Sequence, residues 1–222
     1  MKHIGLMFAM DKEMQFFASM LQDLQQKNIH KCTFYTGVAD NKVITAVVSG
    51  MGKVNSALCT ADLINVFKVD TVLNIGIAGG LDTSLKIGDF VVGKDIVYHD
   101  VWCGNPHKYG QVQGLPEMYH SDSVLVSRLK QYKQGLLCSG DFFVEKAEKL
   151  QEIKANFPAA LAVDMESASI AQTCYLYDVP LLVLRQISDV PGAKNHAEQY
   201  ATFWENAPKN SINALQDILK IL

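Results

Sequence analysis

Short apolar segments rich in β-branched residues alternate with helical patterns along the chain, and this alternation constrains the fold more than any other feature. The strand-like segments are residues 3–9, 43–48, 71–75, 90–97, 136–139 and 181–187. The helical patterns are residues 10–24, 55–67, 123–132, 165–177 and a C-terminal segment that ends near Leu222. Alternation of this kind predicts an α/β fold whose central, mainly parallel twisted sheet is flanked by helices.

One pair of strand-like segments departs from the parallel pattern. Residues 32–38 and 43–48 are separated only by a short connection around Asp40 and Asn41, residue types that favour tight turns. We therefore expect an antiparallel hairpin, which makes the sheet mixed.

Length and composition predict one ordinary globular domain spanning residues 1–222. The net charge of -3 gives no basic footprint for nucleic acid. No segment reaches the roughly 18 uninterrupted apolar residues of a membrane span, and the N-terminus lacks the long apolar core of a secretory signal. Five scattered cysteines without a C-x-x-C pair argue against a disulfide framework or a zinc site. We expect a cytoplasmic protein with reduced thiols that binds neither nucleic acid nor membranes.

The last strand-like segment delivers polar residues to the edge of the sheet where α/β proteins bind ligands. The apolar run 179–184 leads into Arg185, Ser188 and Asp189, before Pro191 and Gly192 turn the chain. Asp189 is a candidate functional acid, and an Asx-turn acid is the structural alternative. A buried Arg185 needs an acidic partner, for which Glu13 and Glu166 are the candidates.

Glu13 is a second candidate because of its place on the first helix. At about 100° per residue, Glu13 falls in the apolar stripe of Met10, Met14 and Phe17. A carboxylate there is costly unless it has a partner or faces a wet cleft. Acids are also favoured in a first helical turn, so a purely structural role stays open.

A third candidate group opens the helical pattern after residue 163. Asp164 is most simply a helix N-cap, whose side chain accepts hydrogen bonds from free amides. Glu166 precedes the small residues Ser167, Ala168 and Ser169, which suit a helix packed tightly on the sheet. We expect its carboxylate near the strand ends.

Other irregular segments carry weaker signals. Residues 49–53 and 76–80 are glycine-containing turns after strands, but they lack the spacing of phosphate and dinucleotide loops. They could bring backbone close to a ligand or serve only as turns. The long irregular stretch 100–118 is typical of a functional or interfacial loop.

Taken in order, these segments resemble the methylthioadenosine/S-adenosylhomocysteine nucleosidases of the nucleoside phosphorylase superfamily. The matching segments are residues 9–13 (AMDKE), 49–55 (SGMGKVN), 88–92 (GDFVV), 98–101 (YHDV), 109–111 (YGQ), 139–141 (SGD), 164–166 (DME) and 187–189 (ISD). The resemblance covers nearly the whole chain and implies a nucleoside phosphorylase-like fold. It implies hydrolysis of the N-glycosidic bond of methylthioadenosine, S-adenosylhomocysteine and 5'-deoxyadenosine, with release of adenine.

The resemblance also implies roles for the candidate residues. Glu13 orients or deprotonates the attacking water, Arg185 helps to fix that water, and Glu166 holds the ribose hydroxyls. Asp189 donates a proton to adenine N7, for which it must stay protonated at neutral pH; burial favours that neutral form. No metal or organic cofactor is implied.

The remaining family positions imply contacts to the substrate. Phe143 stacks on adenine and the Val144 backbone bonds the purine edge. The other positions expected at the substrate are Met10, Met165, Ile77, Ser188, Tyr200 and Phe203. Met51 and residues near Tyr109 of the partner subunit form the apolar 5'-thio pocket, so the resemblance implies a homodimer. The chain departs from common family members in having Ile77 in place of a hydroxyl residue and Asp164 in place of Glu.

Three other functions compete with this interpretation. A nucleoside phosphorylase needs an anion clamp, for which arginine is well suited, but the chain has only Arg128 and Arg185. A 6-amino-6-deoxyfutalosine hydrolase would use the same catalytic residues, so sequence alone does not separate it. A nucleoside-binding protein without activity would not need Glu13, Glu166 and Asp189 together.

Overall fold

The structure, a computed structural model, describes residues 1–190 and 196–222. Its strands are β1 (His3–Phe8), β2 (Gln22–Ile29), β3 (Cys32–Ala39), β4 (Lys42–Val48), β5 (Thr71–Gly80), β6 (Phe90–Tyr98), β7 (Tyr119–His120), β8 (Lys133–Ser139), β9 (Ala160–Asp164) and β10 (Leu181–Asp189). Its helices are α1 (Asp11–Ala18), α2 (Lys53–Asn65), α3 (Ser123–Ser127), α4 (Ala147–Asn156), α5 (Ser167–Leu176) and α6 (His196–Ile221).

The strands form the mixed sheet that the sequence predicts. β1 lies between β4 and β5 as a parallel neighbour of both, and β5 also runs parallel to β10. β10 pairs antiparallel with β6, which is followed by β8 and β9 in parallel register. The end of β9 then returns to Gly79 and Gly80 of β5. These pairings close β5, β10, β6, β8 and β9 into a ring, which periodicity did not predict.

The predicted hairpin is confirmed. β3 and β4 pair antiparallel, and Asp40 and Asn41 turn the chain with φ angles of 48° and 57°. Asparagine and aspartate tolerate this left-handed conformation better than most residues. The turn thereby fixes the register of the hairpin.

The prediction of one helix over residues 10–24 was wrong. Helix α1 ends at Ala18, and residues 22–29 form the exposed edge strand β2 against β3. Leu24 kept the helical spacing in the sequence but is 43% exposed on this strand. Pairing with β3 therefore overrides a weak helical pattern.

Other differences concern short or weakly patterned elements. α3 ends at Ser127, well before the predicted end of that helix, and α4 and β9 were not predicted. β9 has only five residues, all of them buried, and α4 is largely polar. Short elements of this kind carry little periodic signal of their own.

The small-residue start of α5 packs closely on its surroundings, as predicted. Ser167, Ala168 and Ser169 are buried, and the Ser169 and Ser56 hydroxyls lie 2.7 Å apart between α5 and α2. This close packing sets the residues before α5 against the strand ends. Among the described helices, none is both long and apolar enough to cross a membrane.

Candidate active site

A cleft of about 680 Å³, open to solvent, lies where strands β1, β5, β9 and β10 end. Most of the predicted site residues line it: Met10, Glu13, Met51, Ile77, Phe143, Val144, Met165, Glu166, Arg185, Ser188, Asp189 and Tyr200. Phe203 does not line it, and Tyr109, which is expected at the site of the partner subunit, is not among the residues of its own chain's cleft. Phe203 is buried, and Tyr109 donates a hydrogen bond to Glu152 at 2.9 Å and packs beside Trp102. The fold thus brings together residues from nearly the whole length of the chain.

Glu13 is fixed by backbone amides at the start of α1. Its Oε2 accepts hydrogen bonds from the Ala9 amide at 2.9 Å and the Met10 amide at 3.0 Å. Burial raises the pKa of Glu13, while the Met10 amide and the positive charge of Arg185 oppose that rise. Its carboxylate lies so close to β5 that a Cβ atom added to Gly76 would be 2.8 Å from Oε1. A side chain at position 76 would therefore displace the Glu13 carboxylate, which is the end of a flexible side chain.

Arg185 forms its ion pair with Asp164, so the expectation of Glu13 or Glu166 as its direct partner was wrong. The Arg185 Nε donates to Asp164 Oδ2 at 2.8 Å, and both side chains are almost fully buried. Burial raises the pKa of Asp164, but Arg185 and hydrogen bonds from Ser167 outweigh it, and the pKa is lowered overall. The prediction that Asp164 is the helix N-cap was wrong, because Glu166 holds that position before α5. Asp164 Oδ1 nevertheless accepts the Glu166 and Ser167 amides at the start of the helix.

The remaining hydrogen bonds of Arg185 also go to the protein. Nη1 donates to the backbone oxygens of Asn74 and Leu184, each at 3.1 Å, and Nη2 donates to the side chains of Asn74 and Ser167. Together with the bond to Asp164, Arg185 donates five hydrogen bonds. This number matches the five N–H donors of a guanidinium group. Arg185 therefore organises the floor of the cleft.

Glu166 is held by the turn that precedes α2. Its Oε1 accepts a hydrogen bond from the Gly52 amide at 2.9 Å, and Gly52 has a φ of 93°, which favours glycine. Burial raises the pKa of Glu166 to about 7, and the negative charge of Asp164 adds to the rise. The turn at residues 49–53 thus positions a carboxylate through its backbone.

A polar cluster ties this turn to the loop after β8. Asp141 Oδ1 accepts the Lys53 amide at 2.7 Å, and Lys53 Nζ donates to Asp100 Oδ2 at 2.8 Å. The same Asp100 oxygen accepts the Asp141 amide at 2.8 Å. The cluster joins the segment that carries Met51 to the segment that carries Phe143.

Asp189 ends β10 at the other side of the cleft. It is 3% exposed, and the neighbouring Ser188 hydroxyl donates to its Oδ1. Ser188 is within 3.3 Å of the Ala78 carbonyl, which links this acid to β5. Asp189 is therefore a buried carboxyl group that lines the cleft at the end of a strand.

Aromatic and sulfur-containing side chains close the outer part of the cleft. The rings of Phe143 and Tyr200 meet edge to face with centroids 5.7 Å apart, and the Tyr200 hydroxyl lies 3.6 Å from Met10 Sδ. Phe143 is 48% exposed and Met51 is 61% exposed. The exposed parts of the Phe143 ring and the Met51 thioether are therefore accessible to a ligand.

Sequence reasoning missed Asn74 and Phe142, which both line the cleft. Asn74 had a signal, because it is the one amide side chain in the apolar run of β5. No sequence pattern pointed to Phe142, and the family resemblance assigned the aromatic contact to its neighbour Phe143.

The ring-closed mixed sheet and the carboxylate-lined cleft at its strand ends define a member of the phosphorylase superfamily, whose family model matches residues 3–221. Within that superfamily the chain belongs to the family of 5'-methylthioadenosine/S-adenosylhomocysteine nucleosidases. It is 37% identical over 229 residues to the nucleosidase of that name from Staphylococcus aureus, covering 99% of this chain and 100% of the relative.

Solved structures agree with this assignment. A 5'-methylthioadenosine/S-adenosylhomocysteine nucleosidase from Colwellia psychrerythraea in complex with adenine superposes with a TM-score of 0.96 at 35% identity, covering 100% of this chain and 96% of that one. A futalosine hydrolase from Helicobacter pylori superposes with a TM-score of 0.92 at 31% identity, covering 100% and 98%. The same fold therefore occurs in a nucleosidase and in a futalosine hydrolase.

Proposed function

We propose that this chain hydrolyses the N-glycosidic bond of 5'-methylthioadenosine and S-adenosylhomocysteine, releasing adenine. The observation that carries the proposal is the convergence of Glu13, Glu166 and Asp189 on one cleft. Among the described residues that line it, Arg185 is the only cationic side chain, and its N–H groups are directed at protein acceptors. A cleft rich in carboxylates and without a free cationic clamp suits water as nucleophile better than phosphate.

Asp189 is the general acid in this mechanism. Adenine leaves poorly as an anion, so a proton delivered to N7 lowers the barrier, and a positioned acid contributes about 10²–10⁴-fold in rate. A buried position at a strand end keeps the carboxyl group in place beside the departing base. The bond to Ser188 restricts its orientation.

Glu13 activates the attacking water. Its Oε2 accepts two backbone amides, and the Ile77 amide also bonds the carboxylate. A carboxylate has about four lone-pair positions, so one stays available to bind and deprotonate water. Arg185 serves here as a positioning residue that holds Asp164 and Asn74 in place. Its positive charge also favours the ionised form of Glu13 and so opposes the rise in the pKa of that residue that burial causes. This assignment refines the direct contact with water that the family resemblance implies.

Glu166 binds the ribose hydroxyls. As the glycosidic bond breaks, the ribose gains oxocarbenium character, and a nearby carboxylate stabilises charge that exists only in the transition state. The Gly52 amide holds one Glu166 oxygen, and the second oxygen is available to the sugar.

Base and sulfur binding complete the site. Phe143 and Tyr200 enclose adenine, with Phe203 behind them and the Val144 backbone at the purine edge. Met10, Met165, Ile77 and Ser188 border the nucleoside. The 5'-thio group is covered by Met51 and by residues near Tyr109 of the partner subunit, so the active enzyme is a homodimer. It acts in the cytoplasm, in methionine salvage. The exposed apolar side chains of Met51 and Trp102 support such an interface.

A 6-amino-6-deoxyfutalosine hydrolase is the alternative, favoured by the likeness to the futalosine hydrolase structure. Both reactions cleave a purine N-glycosidic bond and differ in the 5' substituent. A panel of methylthioadenosine, S-adenosylhomocysteine, 5'-deoxyadenosine and aminodeoxyfutalosine distinguishes them by kcat/KM.

Adenine release in phosphate-free buffer tests the proposal. Methylthioadenosine should yield free adenine and methylthioribose at a rate that added phosphate does not change. Dependence on phosphate, or formation of a ribose 1-phosphate, would overturn hydrolysis in favour of phosphorolysis.

A further inference from the structure

Cys32 and Cys59 are in direct contact outside the cleft. Their Sγ atoms lie 2.9 Å apart, which is about 0.9 Å longer than a disulfide bond of roughly 2.05 Å. Cys32 begins β3 and is partly accessible, whereas Cys59 is 1% exposed within α2. All five cysteines are free thiols in this structure, and these two are in contact.

We propose that Cys32 and Cys59 form a reversible intramolecular disulfide when the protein meets a hydroperoxide. The native fold already places the two sulfurs in contact. Neither residue lines the cleft, and the inference does not depend on the proposed reaction.

The chemistry begins at Cys32, the more accessible of the two residues. Its thiolate attacks one peroxide oxygen, an S–O bond forms, the O–O bond breaks, and the departing hydroxide takes a proton to give water. Burial and the contact with Cys32 raise the pKa of Cys59, so this thiol stays protonated until the second step. The Cys59 sulfur then attacks the Cys32 sulfenic acid, and hydroxide leaves with the Cys59 proton as water. Two thiols are oxidised and one peroxide is reduced to two waters.

The cross-link would enclose a functional part of the chain. The two cysteines are 27 residues apart, and the closed loop contains the β3–β4 hairpin and the turn with Met51 and Gly52. A disulfide that joins sulfurs already in place restricts the unfolded chain without straining the folded one. The oxidised protein should therefore melt at a higher temperature than the reduced protein.

Peptide mapping tests the proposal in a Cys103→Ser background, which removes the exposed thiol that would compete for peroxide. After hydrogen peroxide treatment, thiol blocking and trypsin digestion, Cys32 falls in peptide 32–42 and Cys59 in peptide 54–68. We expect these two peptides to be joined, to separate on reduction, and to lose two hydrogens in total. The thermal midpoint should rise by several degrees and return on reduction.

Cys59→Ala and Cys32→Ser in the same background are the matched controls, and both should lose the cross-link and the thermal shift. Two separately blocked peptides after oxidation would overturn the proposal, as would a link to Cys138 or Cys174 instead. A lower melting temperature of the cross-linked protein would also overturn it, because the sulfurs would then not be placed for the bond.

Discussion

Arg185 and Asp164 form a buried ion pair, with 2.8 Å between Nε and Oδ2, beneath the cleft. Removing one partner leaves an uncompensated buried charge, so Asp164→Ala should lower the free energy of unfolding by about 3–5 kcal/mol. Urea denaturation measures the loss. Asp217→Ala, which removes an exposed pair with Lys220, is the control and should have a much smaller effect. Equal effects of both substitutions would contradict a structural role for the pair.

Asp189→Asn should fold normally and lose at least about 10²-fold in kcat, because the amide cannot deliver the proton to the leaving base. Circular dichroism and thermal melting check the fold, and adenine release checks turnover. Asp178→Asn is the matched control on an exposed turn whose positive φ suits asparagine. If Asp189→Asn keeps near wild-type turnover, another group is the acid.

Gly76→Ala should reduce kcat by displacing the Glu13 carboxylate, since the added Cβ would lie 2.8 Å from Oε1. Glu13→Gln should reduce kcat directly, with adenine binding retained. If Gly76 acts through Glu13, the two losses are not additive, and the double variant is little worse than Glu13→Gln. Additive losses in this double-mutant cycle would assign Gly76 a separate effect.

Asp141→Ala should raise KM several-fold, because it unties the Phe143 loop from the turn that holds Glu166. It also removes a hydrogen-bond acceptor at the start of α2, worth about 1 kcal/mol. Asp141→Asn keeps an acceptor oxygen and should stay close to wild type in both KM and melting temperature. A change in melting temperature without a change in KM would limit Asp141 to capping.

Glu166→Gln should alter the pH dependence of stability. The pKa of Glu166 is raised by burial from 4.5 to about 7, so the folded protein binds more protons at this site than the unfolded chain between these pH values. Stability contributed by this proton is therefore present at low pH and is lost as pH rises through about 7. Relative to wild type, Glu166→Gln should gain stability between pH 5 and pH 7.5 in thermal melts. A difference that does not vary with pH would show that Glu166 titrates as in the unfolded chain.

Local signals predicted much of the site. Helical geometry singled out Glu13, an apolar strand pointed to Asp189 at its end, and the small residues after Glu166 predicted a tightly packed helix. The fold places all three at one cleft. The same kind of signal failed at the end of the predicted helix 10–24, because Leu24 keeps the helical spacing but lies in the exposed edge strand β2.

The sequence by itself determined the α/β class, the β3–β4 hairpin and the family, because periodicity, turn residues and motifs are properties of neighbouring residues. Only the tertiary structure decided that Arg185 pairs with Asp164 and Asn74, that the Gly52 amide holds Glu166, and that the strands close into a ring. Gly52 and Glu166 are 114 residues apart, and Arg185 and Asn74 are 111 apart. Which of several buried acids meets one guanidinium depends on strand register and side-chain reach, and no local pattern records either.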